Sequence, residues 1–435
     1  MSIRVLAFLS LIAAVAPVHA SGPLCRPRAP GLFPVVQPTR AIAKARSPEV
    51  VVGQQRTFWA WDFAVMPPGF RRVTATCRAV GARGLVYVDD AEWGTHFSQA
   101  DLDAVTERFE RSTPAGSLDP KSGIADVVGR TFAPLPVGLN GDARVVLFFT
   151  AFASFNGTSF DGYFNAFDTL TEAEAATQQQ HSNECDVLYL NTRGNPISSD
   201  YMLGVLSHEL AHLVCHPFSA ERVSWIDESL GEASMIACGY PVDVQHLGRF
   251  CAKPETPLVT DSYVSYGACF LFGTYLLEQL GPDGIAKIVR DPAHGEAGLA
   301  ATLEAAHRGP FAAFHRDWAV ANLLAHASPA DPRWAYRAFA VPALTLRHAA
   351  ALPAEDAGDL APYRLRYLAL PARAGVSMTL EPSTSTARLA AVAGATPANL
   401  LSAAGNATVP AGADPVLVLL GDTKCGYRLE LTPAR

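Results

Sequence analysis

Charge is scarce in this 435-residue chain: Asp, Glu, Lys and Arg make up 17% of it, and no run of basic residues concentrates what there is. Thirty-four basic residues stand against 41 acidic ones, a formal charge of −7, so the basic footprint of a nucleic-acid-binding protein is missing. Long hydrophobic runs are lacking as well. After the first twenty residues no segment has the roughly 18–20 consecutive apolar residues that a membrane span needs. No internal repeat is present. What remains is an ordinary globular composition, 49% hydrophobic, with enough chain for two or three domains at roughly 150 residues each.

The opening MSIRVLAFLSLIAAVAPVHA has one arginine, an apolar run from Val5 to Val15, Pro17, and the ending Val18-His19-Ala20. This is the pattern of a secretory signal peptide over residues 1–20, and it predicts a secreted or periplasmic protein. Eight cysteines follow: Cys25, Cys77, Cys185, Cys215, Cys238, Cys251, Cys269 and Cys425. An even count in an oxidising compartment predicts disulfides, though not their pairing.

Residues 21–95 read as a β-rich region, with VVVGQQRTFWAWDF, RRVTATCRAV and GLVYVDD separated by turn signals such as Met66-Pro67-Pro68-Gly69. A helix is expected over SQADLDAVTERFERS, with Ser98 as its cap and Leu102, Val105 and Phe109 at helical spacing. ARVVLFFTAF reads as a central strand, and GYFNAF and DVLYLN as further strands. After Asp200 the signals turn helical, through YMLGVLSHELAHLVCH, WIDESLGEASMIACG and SYGACFLFGTYLLEQLG. Strands followed by helices predict an α+β domain over residues 96–340. Beyond it, residues 341–435 alternate short apolar runs with turn residues and predict a C-terminal β-rich domain.

Within YMLGVLSHELAHLVCH, His208 and His212 lie one helical turn apart and enclose Glu209. HExxH has a geometric logic: two imidazoles on one helix face bind a Zn²⁺, and the glutamate reaches a water beside it. His216 repeats the four-residue spacing, but it falls just before Pro217, and no acid or base stands between it and His212. The spacing makes it a bystander at the helix end.

A third ligand must come from elsewhere. HExxHxxGxxH is not available, because Cys215 and Phe218 stand where it needs Gly and His. WIDESLGEASM offers two acids instead, Glu228 and Glu232, one turn apart on a second helix. Either could complete a two-histidine, one-glutamate site. The other would then accept the free ring N–H of a ligating histidine and fix its tautomer.

HELAH followed by WIDESLGE resembles the HExxH and WxxEGxxE pairing of the gluzincin metallopeptidases. The order GYF, SNECDVLYLNT, YMLGVLSHELAHLV, WIDESLGEA and YGACFLFGTYLLEQLG is similar to the secreted bacterial hyicolysin family, over roughly residues 50 to 290. The resemblance implies a zincin-like fold, a mixed sheet with active-site helices, and a zinc endopeptidase acting on a protein or peptide substrate. It implies His208, His212 and Glu228 as metal ligands and Glu209 as general base. SYGACFLFGTYL resembles the tyrosine-bearing helix of related aminopeptidases and implies Tyr266 as an oxyanion donor, against the alternative of an ordinary interfacial tyrosine. GYFNAF is the expected edge strand for the substrate. PLCRPR around Cys25 is similar to the inhibitory cysteine of some zinc-protease propeptides, although a structural disulfide is the commoner fate.

Two departures stand out. Ser229 occupies the usual glycine position, and the stretch between His212 and Glu228 is short for the family, which keeps Glu232 open as the ligand. No GxMEN motif is present to hold a free N-terminus, so endopeptidase is favoured over aminopeptidase. A catalytically silent binding protein on the same fold is the remaining alternative.

Overall fold

The computed structural model describes residues 49–433, apart from residues 66, 155–159, 219–222, 241–243, 260–265, 328, 330, 350 and 361–362 and the intervals 371–375, 383–386, 394–395, 402–404, 410–415 and 422–423. Between 376 and 409 it describes the strand backbones. The signal-like segment 1–20 and Cys25 lie outside the described residues.

The protein is α+β. Its six-stranded mixed sheet comprises β1 (Gln55–Asp62), β2 (Gly69–Val80), β3 (Gly84–Asp89), β4 (Val145–Thr150), β5 (Gly162–Phe164) and β6 (Val187–Asn191), in the order β1-β2-β3-β4-β6-β5. The pairings β1·β2, β2·β3 and β5·β6 are antiparallel, whereas β3, β4 and β6 run parallel. Strands from the β-rich stretch before residue 95 therefore hydrogen-bond into the same sheet as those after it. β5 is shorter than GYFNAF suggested, because the Asn165 side chain accepts the Phe167 N–H and turns Ala166–Thr169 into a 3₁₀ turn.

Both faces of the central strands are buried, which explains their continuous apolar runs. Val86, Leu147, Phe149, Leu188 and Leu190 face the helices. Tyr87, Phe148, Val187 and Tyr189 alternate with them and join Phe58, Trp61 and Tyr163 on the other face.

The helices are α1 (Gln99–Glu110), α2 (Ile124–Thr131), α3 (Glu172–Thr177), α4 (Asp200–Cys215), α5 (Ser224–Ala237), α6 (Val244–Ala252), α7 (Tyr266–Arg290), α8 (Gly295–Ala305) and α9 (Phe311–Leu324). Ser98 caps α1 with a reciprocal capping box, and Leu102, Val105 and Phe109 are its buried face, as the sequence predicts. α7 breaks at Gly281, whose φ of 68° no helix accommodates, and resumes at Pro282.

The C-terminal region forms two sheets from β7 (Arg347–His348), β8 (Ala354–Leu360), β9 (Arg364–Ala369), β10 (Val376–Pro382), β11 (Ala387–Ala393), β12 (Thr396–Leu401), β13 (Gly405–Val409), β14 (Val416–Gly421) and β15 (Cys425–Pro433). Their orders are β13-β10-β15-β8 and β12-β11-β14-β9-β7. Leu365, Tyr367, Val418 and Leu420 share the core of the helices, and the Tyr367 hydroxyl donates to the Ala319 carbonyl at 3.0 Å. The second sheet thus docks on α9.

Cys77, Cys185, Cys215, Cys238, Cys251 and Cys269 are all buried, and no disulfide joins any two of them. Disulfide formation, expected from an even count, does not occur among these six. Among the described residues no helix is long and apolar enough to cross a membrane.

Candidate metal centre

α4 is capped by Ser199, whose side chain accepts the Met202 N–H, and it is buried from Met202 through Cys215. Burial on all sides explains why the run is apolar apart from HExxH and Ser207, whose hydroxyl donates to the Gly204 carbonyl at 2.7 Å. Its histidines and Glu209 are consequently almost sealed, His208 at 0% exposure, Glu209 at 1% and His212 at 8%. Ionisable groups this dry require partners.

α5 supplies them. Glu228 Oε2 lies 3.5 Å from Nε2 of His208, and Glu228 Oε1 lies 3.9 Å from Nε2 of His212. The two Nε2 atoms are 3.0 Å apart. One donor atom from each of His208, His212 and Glu228 lies within 4.8 Å of the other two. Glu232 sits one turn further on, with Oε1 3.9 Å from Nδ1 of His208. The two acids that sequence left as alternatives therefore address opposite nitrogens of one ring.

These residues fit a divalent metal. Two imidazole Nε2 atoms at 3.0 Å direct lone pairs at one another unless a proton or cation lies between them. Tetrahedral zinc with ligands at about 2.0–2.1 Å sets donor pairs roughly 3.3 Å apart, and the observed 3.0, 3.5 and 3.9 Å bracket that spacing. The field agrees. Burial acts to lower the pKa of His208, but Glu228, Glu232 and Glu209 outweigh it and raise it to about 9. Three carboxylates around one buried ring favour positive charge there.

Two glycines that sequence reasoning passed over make the geometry possible. A Cβ on Gly231 would lie 2.6 Å from Cε1 and 2.7 Å from Nε2 of His208. Only a bare backbone lets α5 approach the imidazole this closely. The signal was in plain view, a glycine immediately before Glu232. On the other side, a Cβ on Gly162 would meet Glu209 Cγ at 3.0 Å and Val205 Cγ1 at 2.9 Å. Strand β5 thereby lies directly against the Glu209 side of α4.

Tyr266 is the first residue of α7, buried at 3%, with its ring stacked on His246 at 5.0 Å. Cys269, one turn later, lies near both glutamates: burial first, then the charge of Glu228, pushes its thiol pKa up. α7 therefore passes behind α5, with Tyr266 one turn from that contact. His216 is also buried, outside the three-residue cluster, with its ring against Phe164 of β5.

No protein-family model matches this chain, and no curated protein matches it in sequence. Among solved structures, the periplasmic g-type lysozyme inhibitor PliG of Salmonella Typhimurium is similar over 20% of this chain and 97% of its own, at 15% identity and a TM-score of 0.17. PliG of Aeromonas hydrophila is similar over 21% of this chain and 96% of its own, at 17% identity and a TM-score of 0.18. A de novo designed double-stranded β-helix is similar over 18% and 97%, at 15% identity and a TM-score of 0.14. Likenesses this partial carry no argument about activity.

Proposed function

We propose that this chain is a secreted zinc-dependent endopeptidase, with His208, His212 and Glu228 as metal ligands and Glu209 as general base. The observation that carries the reading is the convergence of His208, His212 and Glu228 donor atoms within 4.8 Å on two helices, with Glu209 on the first. A structural zinc site ordinarily closes with four Cys or His ligands and has no use for a carboxylate beside it.

When bound, zinc supplies a Lewis acid that polarises a scissile carbonyl and acidifies a neighbouring water. Glu209 would take one proton of a water as its oxygen adds to the scissile carbonyl carbon, and pass it to the amine nitrogen as the C–N bond breaks. Glu232 stands 3.9 Å from Nδ1 of His208, and a carboxylate on that side favours the tautomer that leaves Nε2 free to ligate. Tyr266 is assigned to steady the oxyanion. β5 is the end strand of the sheet, and a peptide added along its outer edge would be held through its main chain, whatever its sequence.

The test is metal analysis together with digestion of succinylated casein, whose amines are blocked. One zinc per chain and chelator-sensitive cleavage are expected. Cleavage of free-amine dipeptides with blocked casein left intact would instead indicate an aminopeptidase. Bound zinc with neither activity would indicate a binding protein.

A further inference from the structure

We propose that His216 is a positioning residue that fastens β5 against the metal-binding helix; its consequence for substrate rests on the peptidase reading above. His216 terminates α4, its backbone N–H donating to the carbonyls of His212 and Leu213. Its side chain is buried and reaches across to the sheet edge. The ring meets Phe164 of β5 edge to face, with centroids 5.5 Å apart and planes at 61°. Its Nε2 lies within 3.5 Å of Thr169 Oγ1, and that hydroxyl donates to the Ala166 carbonyl at 2.8 Å. One imidazole thus touches both β5 and the 3₁₀ turn that follows it.

Alternation along a strand puts Gly162 and Phe164 on one face and Tyr163 on the other. Tyr163 stacks on Tyr189 at 4.2 Å, on the far face of the sheet. The near face is fastened to α4 at two points, Gly162 beside Glu209 and Phe164 on His216. A three-residue edge strand with a ladder on one side has little stability of its own, so side-chain packing decides where it lies. The position of β5 relative to Glu209 is what a peptide laid along it would inherit, and a misplacement of about 1 Å can cost roughly 10²-fold in rate. The four-residue spacing from His212 to His216 is then a strut one turn beyond the metal ligands.

The test compares the zinc-loaded protein with His216→Ala, His216→Phe, Phe164→Ala and the double variant His216→Ala/Phe164→Ala. Three readouts are taken: zinc stoichiometry, amide hydrogen exchange at residues 162–164, and kcat and KM on a blocked extended peptide. His216→Ala should keep its zinc and exchange about 3- to 10-fold faster at β5, the size expected for loss of one edge-to-face ring pair. KM should rise by a similar factor while kcat changes less. His216→Phe, which keeps an edge-to-face partner, should restore both, and the double variant should be no worse than Phe164→Ala alone. Unchanged exchange in His216→Ala would overturn the proposal, and so would loss of zinc from a folded His216→Ala, which would make His216 a ligand. If His216→Ala does not fold, parent-like exchange in His216→Phe with faster exchange in Phe164→Ala supports the proposal, and equal exchange in the two rejects it. Exchange is read without turnover, so a protein that hydrolyses no peptide would sink the peptidase reading and still decide this one.

Discussion

The two ring nitrogens of His208 face two different glutamates, Nε2 standing 3.5 Å from Glu228 and Nδ1 3.9 Å from Glu232. One acid stands on the side of the ring that faces His212, and the other stands across from Nδ1. Removing each should have a different effect. Glu232→Gln is expected to weaken zinc binding by about 10–100-fold, the usual cost of losing a partner behind a ligand. Glu228→Gln is expected to weaken it further. Competition against a chromogenic zinc chelator measures both, and the reverse order would exchange their roles.

Glu209→Gln preserves shape but cannot take a proton. Zinc content should match the parent, while turnover of blocked casein falls by about 10²–10⁴-fold, the range for a lost general base. Parent-like turnover would remove Glu209 from the mechanism.

Gly231→Ala adds one methyl group where the nearest imidazole atom of His208 is 2.6 Å away. Because α4 and α5 are both buried there, the ring or the helix must shift, at a cost of about 1–3 kcal/mol. A lowered melting temperature together with weakened zinc binding is expected. Ala at this site with neither change would mean that the interhelical approach is looser than described.

His315 lies buried among Phe311, Trp318 and Tyr363, and burial alone lowers its pKa from 6.5 to about 3. The sign follows from which state holds the proton. Below pH 6.5 the unfolded chain protonates this ring and the native protein does not, so the stability it contributes is complete above pH 6.5 and lost as pH falls towards 3. The loss approaches roughly 5 kcal/mol once the native ring is protonated as well, below pH 3. Denaturant midpoints at pH 7 and pH 4 should differ more in the parent than in His315→Leu. An equal change in both proteins would contradict the assignment.

Much of this molecule could be read from sequence because the relevant signals are local. Ser98 and Leu102, Val105 and Phe109 specify α1 within fifteen residues, and the continuous apolar run of β4 announces a strand buried on both faces. HExxH is local too, since 3.6 residues per turn places His208 over His212 whatever surrounds them. Other features escape such signals. GYFNAF has the residues of a strand throughout, yet the Asn165 side chain stops β5 at Phe164. Composition implied disulfides, yet six buried thiols are not joined to one another.

Sequence by itself determined the α+β class, the helix that carries His208, Glu209 and His212, and the pair of acids that could complete their site. Tertiary structure alone decided that Glu228 joins Nε2 of both histidines while Glu232 stands behind His208, and that His216 reaches Phe164 rather than the cluster. Periodicity fixes which residues share a face of one helix. Which face meets a neighbour depends on how closely two backbones approach, and here that was set by the missing side chains of Gly231 and Gly162.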